Sequence, residues 1–368
     1  MVELDGNYGE GGGALLRVAL AAATITNTPF RINNIRSGRT KPGLKAQHLQ
    51  AINALKQISG SKCSEIELGT TELWFQPGKV KGGTYTFDIG TAGSITLFLQ
   101  SIILPCMFAS SKINLTIKGG TCGKWQASVD YLKEILLPQL ERFVKKIDLK
   151  ILKRGYYPKG GGEIFLEISP LIKLQNKNVH ELIKEVSDKV KKINLKEQGK
   201  LQQVKGVLNI SSELSEFNVD ERITRSAKVR VQNRLKINQD VPINIRTELV
   251  NTLSQGGELL LWSVHNRDEW NNINNPIRLG SSCVLEKGKK SEIIGKETAE
   301  QLFNEIESEA VVDHHLADQL IQFMSILPNS VIRTSEITNH TKTNIFVIKQ
   351  FIPTRFKIEN NVISSLLE

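Results

Sequence analysis

Leu97-Phe98-Leu99-Gln100-Ser101-Ile102-Ile103-Leu104-Pro105 and Leu320-Ile321-Gln322-Phe323-Met324-Ser325-Ile326-Leu327-Pro328 are nearly the same apolar phrase, written twice in one chain. Each belongs to a helical pattern with a polar start, and each leads into a strand, a polar loop and a second helix. The first copy reads as a helix over 94–108, a strand over 112–117, a loop over 119–123 and a helix over 129–143. The second reads as a helix over 316–326, a strand over 330–335, a loop over 337–342 and a helix over 343–351. Further out, the N-terminus repeats the layout, with a helix over 12–26, a strand over 30–35, a loop over 36–43 and a helix over 44–58. Self-similarity on this scale marks a repeated supersecondary unit. The expected fold is therefore α/β, with three units building one large domain.

Between the second and third copies the pattern changes. A Lys- and Asn-rich stretch over 173–205 opens a region with helical periodicity over 180–190 and strand patterns over 241–245 and 259–264, closing at Asn275-Pro276. The expected organisation is a discontinuous large domain, 1–177 and 277–368, with a smaller α/β domain inserted at 178–276.

Bulk properties narrow the function. The chain has 368 residues, 40% of them apolar and 23% charged, the composition of a folded globular protein. Its longest apolar run, from Ile95 to Ala109, is broken by Gln100, Ser101 and Pro105 and is shorter than the ~20 residues a membrane helix needs. Glu3, Asp5 and Glu10 stand where a signal peptide carries positive charge, so a cytoplasmic location is expected. Cys63, Cys106, Cys122 and Cys283 are scattered without a C-x-x-C pair, against both a disulfide framework and a structural zinc site. A formal charge of +10 with pI near 9.3 favours a polyanionic partner.

Three motifs bear chemistry. A short strand over 2–4 enters Gly6-Asn7-Tyr8-Gly9-Glu10-Gly11-Gly12-Gly13, which opens a helix whose first N–H groups can face an anion. Gly9, Gly11 and Ala14 fit the loose dinucleotide pattern, but no acidic residue closes the next strand, which ends Asn33-Asn34-Ile35-Arg36. Arg36, Arg39 and Lys41 crowd the loop after that strand; arginine forks pair two oxygens of one phosphate, which suits a terminal phosphomonoester, and Arg17 lies close enough to join them. A true P-loop is missing at Gly119-Gly120-Thr121-Cys122-Gly123-Lys124-Trp125, and so is the K-x-D-G lysine of common nucleotidyl ligases. In the third unit, Asp313, His314, His315 and Asp318 allow a metal site in principle, though adjacent histidines rarely ligate together on one helix. His340 occupies the loop position that the arginines hold in the first unit.

Taken together, Gly9-Glu10-Gly11-Gly12-Gly13, the run Ile35 to Leu44 with Gln47-His48-Leu49, Gly90-Thr91-Ala92-Gly93-Ser94, Gly155 to Glu163, Leu316-Ala317-Asp318-Gln319 and His340-x-x-Thr343-Asn344 closely resemble the RNA 3′-terminal phosphate cyclases. The likeness spans nearly the whole chain and is weakest in the insert. It implies three βαβαββ-like repeats, related in architecture to the enolpyruvyl transferases, with a small domain inserted before the last repeat. It also implies the reaction: ATP adenylylates a histidine, AMP passes to an RNA 3′-terminal phosphate, and the vicinal 2′-hydroxyl closes a 2′,3′-cyclic phosphate.

On this resemblance His340 is the nucleophile, since a neutral imidazole is a good nucleophile near pH 7. Arg17, Arg36 and Arg39 clamp phosphates with Gln47 assisting. Glu10 holds a divalent cation, Mg2+ or Mn2+. Gln100, His315, Leu316, Ala317, Asp318 and Gln319 line the nucleotide pocket. A homodimer is a family expectation. The chain departs from the family at Ala14, His315 and Cys122-Gly123-Lys124-Trp125-Gln126, around the expected adenine site, where His315 or Trp125 offers an alternative ring. The rival from another class is a noncatalytic cyclase-like ribosome-assembly protein lacking the nucleophilic histidine; an enolpyruvyl transferase matches the repeats but not the histidine or the arginine loop.

Overall fold

The computed structural model describes residues 1–175, 177–235, 240–266 and 275–368. The first unit runs β1 (Val2–Asp5), α1 (Ala14–Thr26), β2 (Phe30–Asn33), α2 (Ala46–Ser59), β3 (Lys62–Cys63) and β4 (Leu73–Gln76). The second runs β5 (Gly83–Asp88), α3 (Ile95–Met107), β6 (Ile113–Gly119), α4 (Val129–Tyr131), α5 (Leu137–Leu140), β7 (Val144–Lys153) and β8 (Gly162–Pro170). A π-helical turn over Leu132–Leu136 joins α4 to α5. After α6 (Val179–Lys189), β9 (Asn194–Leu195) begins the third unit. The chain then leaves for β10 (Lys200–Ser211), α7 (Ser212–Ser215), α8 (Val219–Arg234), β11 (Ile243–Val250), β12 (Gly257–Asn266), β13 (Ile277–Val284) and α9 (Ser291–Glu307). It returns with α10 (His314–Met324), β14 (Val331–Arg333), α11 (Asn339–Ile348), β15 (Thr354–Glu359) and β16 (Val362–Leu367).

Strand pairing shows the repeat. In each unit the first strand is parallel to the second, the second antiparallel to the fourth, and the fourth antiparallel to the third, giving β1-β2-β4-β3, β5-β6-β8-β7 and β9-β14-β16-β15. A helix bridges each parallel pair, as a parallel crossover requires. The twice-written phrase falls on equivalent helices but at different heights: Pro105 lies inside the last turn of α3, whereas Pro328 lies beyond the end of α10.

α1 is the axis of the large body. Every residue from Ala14 to Ile25 is buried, and the run Ala21-Ala22-Ala23 lets neighbouring helices approach closely, so α1 packs on both α3 and α11. This brings the N-terminal ends of helices from the first and third units to one corner.

The insert differs from the expected 178–276. Leu182, Ile183 and Val186 on the apolar face of α6 join the large core, and β9 pairs with β14. The second apolar cluster instead runs from Val204 to Ala310, because β13 completes the sheet β11-β10-β12-β13 and α9 covers it. The insertion thus falls inside the third unit, after its first strand, not before it. Alternation along β12 docks the insert: Leu259 and Leu261 face α8 and α9, while Leu260 and Trp262 join the large core. A buried polar network pins the same junction. Arg154 pairs with Asp130 and Glu248, Asn209 donates to Asp130 (3.1 Å), and Tyr156 donates to Asn209 (2.8 Å). All four cysteines are free, Cys106 and Cys122 buried.

Candidate active site

The glycine run is a device for close approach. A Cβ on Gly9 would lie 2.5 Å from Thr343 Oγ1 on α11, and φ is +67° there; a Cβ on Gly11, at φ +54°, would lie 2.7 Å from the Gly38 nitrogen. Glycine alone tolerates both the backbone and the space. The loop after β1 therefore presses on α11 and on the loop after β2 at once, and Tyr8 stacks on Phe346 with centroids 3.7 Å apart.

Glu10 emerges between these two neighbours. Its Oε2 lies 3.4 Å from His340 Nε2 and 3.3 Å from Arg39 Nη2, with the three side chains partly open to solvent. Residues 10, 39 and 340, far apart in sequence, thus meet at one point.

His340 is not in a loop, as its sequence position suggested; it stands in the first turn of α11. The junction in the third unit is short enough for Thr338 to cap the helix, its hydroxyl accepting from the Thr341 N–H (2.9 Å). Asp318 ties this turn down, accepting from the hydroxyls of Thr338 (2.6 Å) and Thr341 (2.5 Å), while its backbone carbonyl accepts from Asn344 (2.8 Å). Burial raises the Asp318 pKa, and the two threonine hydroxyls oppose that shift.

Behind Glu10 lie Arg17 and Arg36, neither of them paired with a carboxylate among the described residues. Arg17 is buried and donates through Nε to Gln100 Oε1 at 2.7 Å, a neutral partner; burial, then Arg36 and Arg39, lower its pKa to about 10. Arg36 turns inward, its Nη1 donating to the carbonyls of Lys41 (2.8 Å) and Gly43 (2.9 Å), which stabilise its own left-handed backbone at φ 57°. Burial and Arg39 lower its pKa.

His48 completes this corner and went unassigned in the sequence reading, although it follows Gln47. It is buried beside Gly13 and Arg17, and its Nδ1 accepts from the Lys45 N–H (3.1 Å), which leaves the proton on Nε2. Burial first, then Arg17, Arg36 and Lys45, push its pKa well down, so the ring is neutral. Its Nε2 has no protein partner among the described residues.

The expected nucleotide-pocket segment divides by helical period. Leu316 and Ala317 are fully buried in the core and offer no side chain to a ligand; Asp318 is committed to the turn of α11. His315 and Gln319, one turn apart, hold the open face, with Gln319 Nε2 donating to the His315 carbonyl (3.2 Å). Packing of its neighbours around the ring, followed by His314, pushes the His315 pKa down although the residue stays open to solvent. Gln100 sits instead with Arg17 in the arginine corner. Gln47 stands half-buried in the first turn of α2.

Asp313 and His314 have structural partners. Asp313 caps α10 through the Leu316 N–H (3.0 Å), accepts from Tyr131 OH (2.6 Å) and from the Gly280 N–H (2.9 Å), and so ties together the second unit, the third unit and the insert. His314 Nδ1 lies 2.6 Å from Glu305. No cluster of three or more protein metal ligands occurs among the described residues.

An α/β body of three like units, with arginines, a carboxylate and an imidazole converging where the first and third units meet, defines a protein built to hold and work on anionic groups. The chain belongs to the RNA 3′-terminal phosphate cyclase family, whose model matches residues 8–358. It is 39% identical to the RNA 3′-terminal phosphate cyclase of Archaeoglobus fulgidus, covering 99% of each chain. It is 36% identical to that of Pyrococcus furiosus, over 98% of this chain and 96% of the relative, and 34% identical to that of Methanopyrus kandleri, over 97% and 95%. No helix among the described residues is long and apolar enough to cross a membrane.

Proposed function

We propose that this protein is an RNA 3′-terminal phosphate cyclase that uses ATP and works through a covalent histidine–AMP intermediate on His340. The observation that carries the reading is Arg17, a buried guanidinium whose protein partner is an amide, set beside Arg36 and Arg39 and opening toward the Glu10–His340 pair. A buried guanidinium with two further arginines close by calls for an anion from outside the fold.

His340 Nε2 attacks the α-phosphorus of ATP, a P–N bond forms and pyrophosphate leaves. An oxygen of the RNA 3′-phosphate then attacks that phosphorus, the P–N bond breaks, and a 3′-to-5′ pyrophosphate links RNA to adenosine. Finally the 2′-hydroxyl attacks the RNA phosphorus, loses its proton, and AMP leaves. Splitting one hard displacement into easier ones is the gain of covalent catalysis. Asp318, through Thr338 and Thr341, fixes the turn that presents the imidazole.

A divalent cation suits the donor set, because Mg2+ and Mn2+ are commonly held by one or two carboxylates with substrate phosphates and water, and Glu10 is a partly open carboxylate beside His340. Bound there, it would neutralise charge on the ATP phosphates. The open face of α10 at His315 and Gln319 is the proposed base site, with the imidazole of His315 as the ring.

The test is incubation with α-labelled ATP and Mg2+ or Mn2+. Acid-labile, alkali-stable label is expected on the wild type and none on His340→Ala. A wild type that never takes label refutes the mechanism.

A further inference from the structure

We infer that the cleft between the second unit and the insert holds the single-stranded nucleotides on the 5′ side of the reacting RNA end. This rests on the RNA reading above. The cleft has a volume of about 1170 Å3, more than the roughly 300–1,000 Å3 typical of a small-molecule pocket. Gln47, from the first turn of the helix that also carries His48, lines it on one side, and Leu97, about one helical turn before Gln100 on α3, lines it on another, so the cleft borders the proposed catalytic site.

Two large rings line this cleft, and the fold leaves both uncovered: Trp125 is 87% exposed and Tyr157 80%. They come from separate loops of the second unit, so their exposure is not one accident of a chain turn. Trp125 has a left-handed backbone, φ 67°, a conformation unfavourable for a bulky residue. Exposed rings beside cationic groups are the means by which proteins bind single strands without regard to sequence, the bases stacking on the rings and the phosphates following the charge.

The charge fits. Lys124, Lys287 and Lys289 line the cleft against Glu286 as its acidic residue. Lys287 has no ion pair among the described residues, whereas Lys289 is paired with Glu297 within the insert. Lys124, from the second unit, reaches Glu286 of the insert at 2.7 Å, both partly exposed. A phosphate entering here competes with Glu286 for Lys124, which couples strand binding to the contact between unit and insert.

The experiment is fluorescence anisotropy with 3′-phosphorylated single-stranded RNAs, a dinucleotide and an octanucleotide, on the full chain and on Trp125→Ala, Tyr157→Ala and Lys287→Gln. Circular dichroism checks that each variant folds. The octanucleotide should bind the wild type more tightly than the dinucleotide, and each alanine variant should lose about tenfold of that gain. Trp125→Phe should restore it. Lys287→Gln should lower the slope of log affinity against log salt by about 0.7. Equal affinity for the two lengths in the wild type overturns the inference. So does a length gain that survives the double alanine variant, or one abolished by polyglutamate as readily as by unlabelled RNA, which marks a protein-binding cleft instead. The two readings fail separately. A protein that shows the length gain but never accepts AMP loses the proposed reaction and keeps the track; one that cyclises RNA ends without any length gain does the reverse.

Discussion

The first and third units make the same turn, from second strand to second helix, in opposite ways. In the first, the chain between β2 and α2 is long, and its charged side chains lean on little but one another: Arg39 meets Glu10 at the surface and Arg36 props up its own loop. In the third, the passage from β14 to α11 is short, and His340 is built into a capped helical turn fastened by Asp318. Topology alone therefore does not set a functional loop. Length does, since a long loop can drape several cations round an anion, while a short one can fix a single ring in one orientation.

The contrast can be broken from each side. Arg39→Ala removes a half-exposed cation, and RNA cyclisation should fall by about 10²-fold, the scale of losing one charge-stabilising donor. Chemical denaturation should show its stability unchanged within about 0.5 kcal/mol, as for surface ion pairs generally. Thr338→Ala should do the opposite in kind: lose about 1 kcal/mol of stability with its cap, and slow transfer of label to His340 through a less ordered turn. If Arg39→Ala unfolds the protein, or Thr338→Ala leaves stability untouched, the comparison is wrong.

A smaller effect sharpens the third unit further. Glu305 raises the His314 pKa, so the folded state binds this proton more tightly than the unfolded chain does. The stabilisation is fully present below the unfolded value of about 6.5 and is lost as pH rises through the raised folded value. Thermal melts of the wild type and His314→Gln should accordingly differ most in mildly acidic solution and converge above neutrality. A difference that grows with pH contradicts the pairing.

Much of the proposed site is legible in the sequence because its chemistry is local. An arginine cluster, a carboxylate among glycines and a histidine between polar neighbours are visible as residue types at given spacings. The departures have physical reasons. Leu316 and Ala317 belong to a motif yet point inward, because on a helix residues adjacent in sequence face different directions. Arg36 serves its own loop, which requires knowing that the Lys41 and Gly43 carbonyls fold back on it. The two-residue strand β9 has no periodicity to read, so the point where the insert interrupts the third unit was displaced.

By itself the sequence determined three α/β units, an embedded second domain and the set of polar residues proposed to handle phosphates, because apolar periodicity and side-chain chemistry are properties of short stretches. Only the tertiary structure decided that Glu10 lies between Arg39 and His340, that Arg17 is buried against the amide of Gln100, and that Trp125 and Tyr157 line one open cleft. Those are distances between residues remote in the chain, fixed by the packing of α1 against α3 and α11 and by the docking of the insert on the large core.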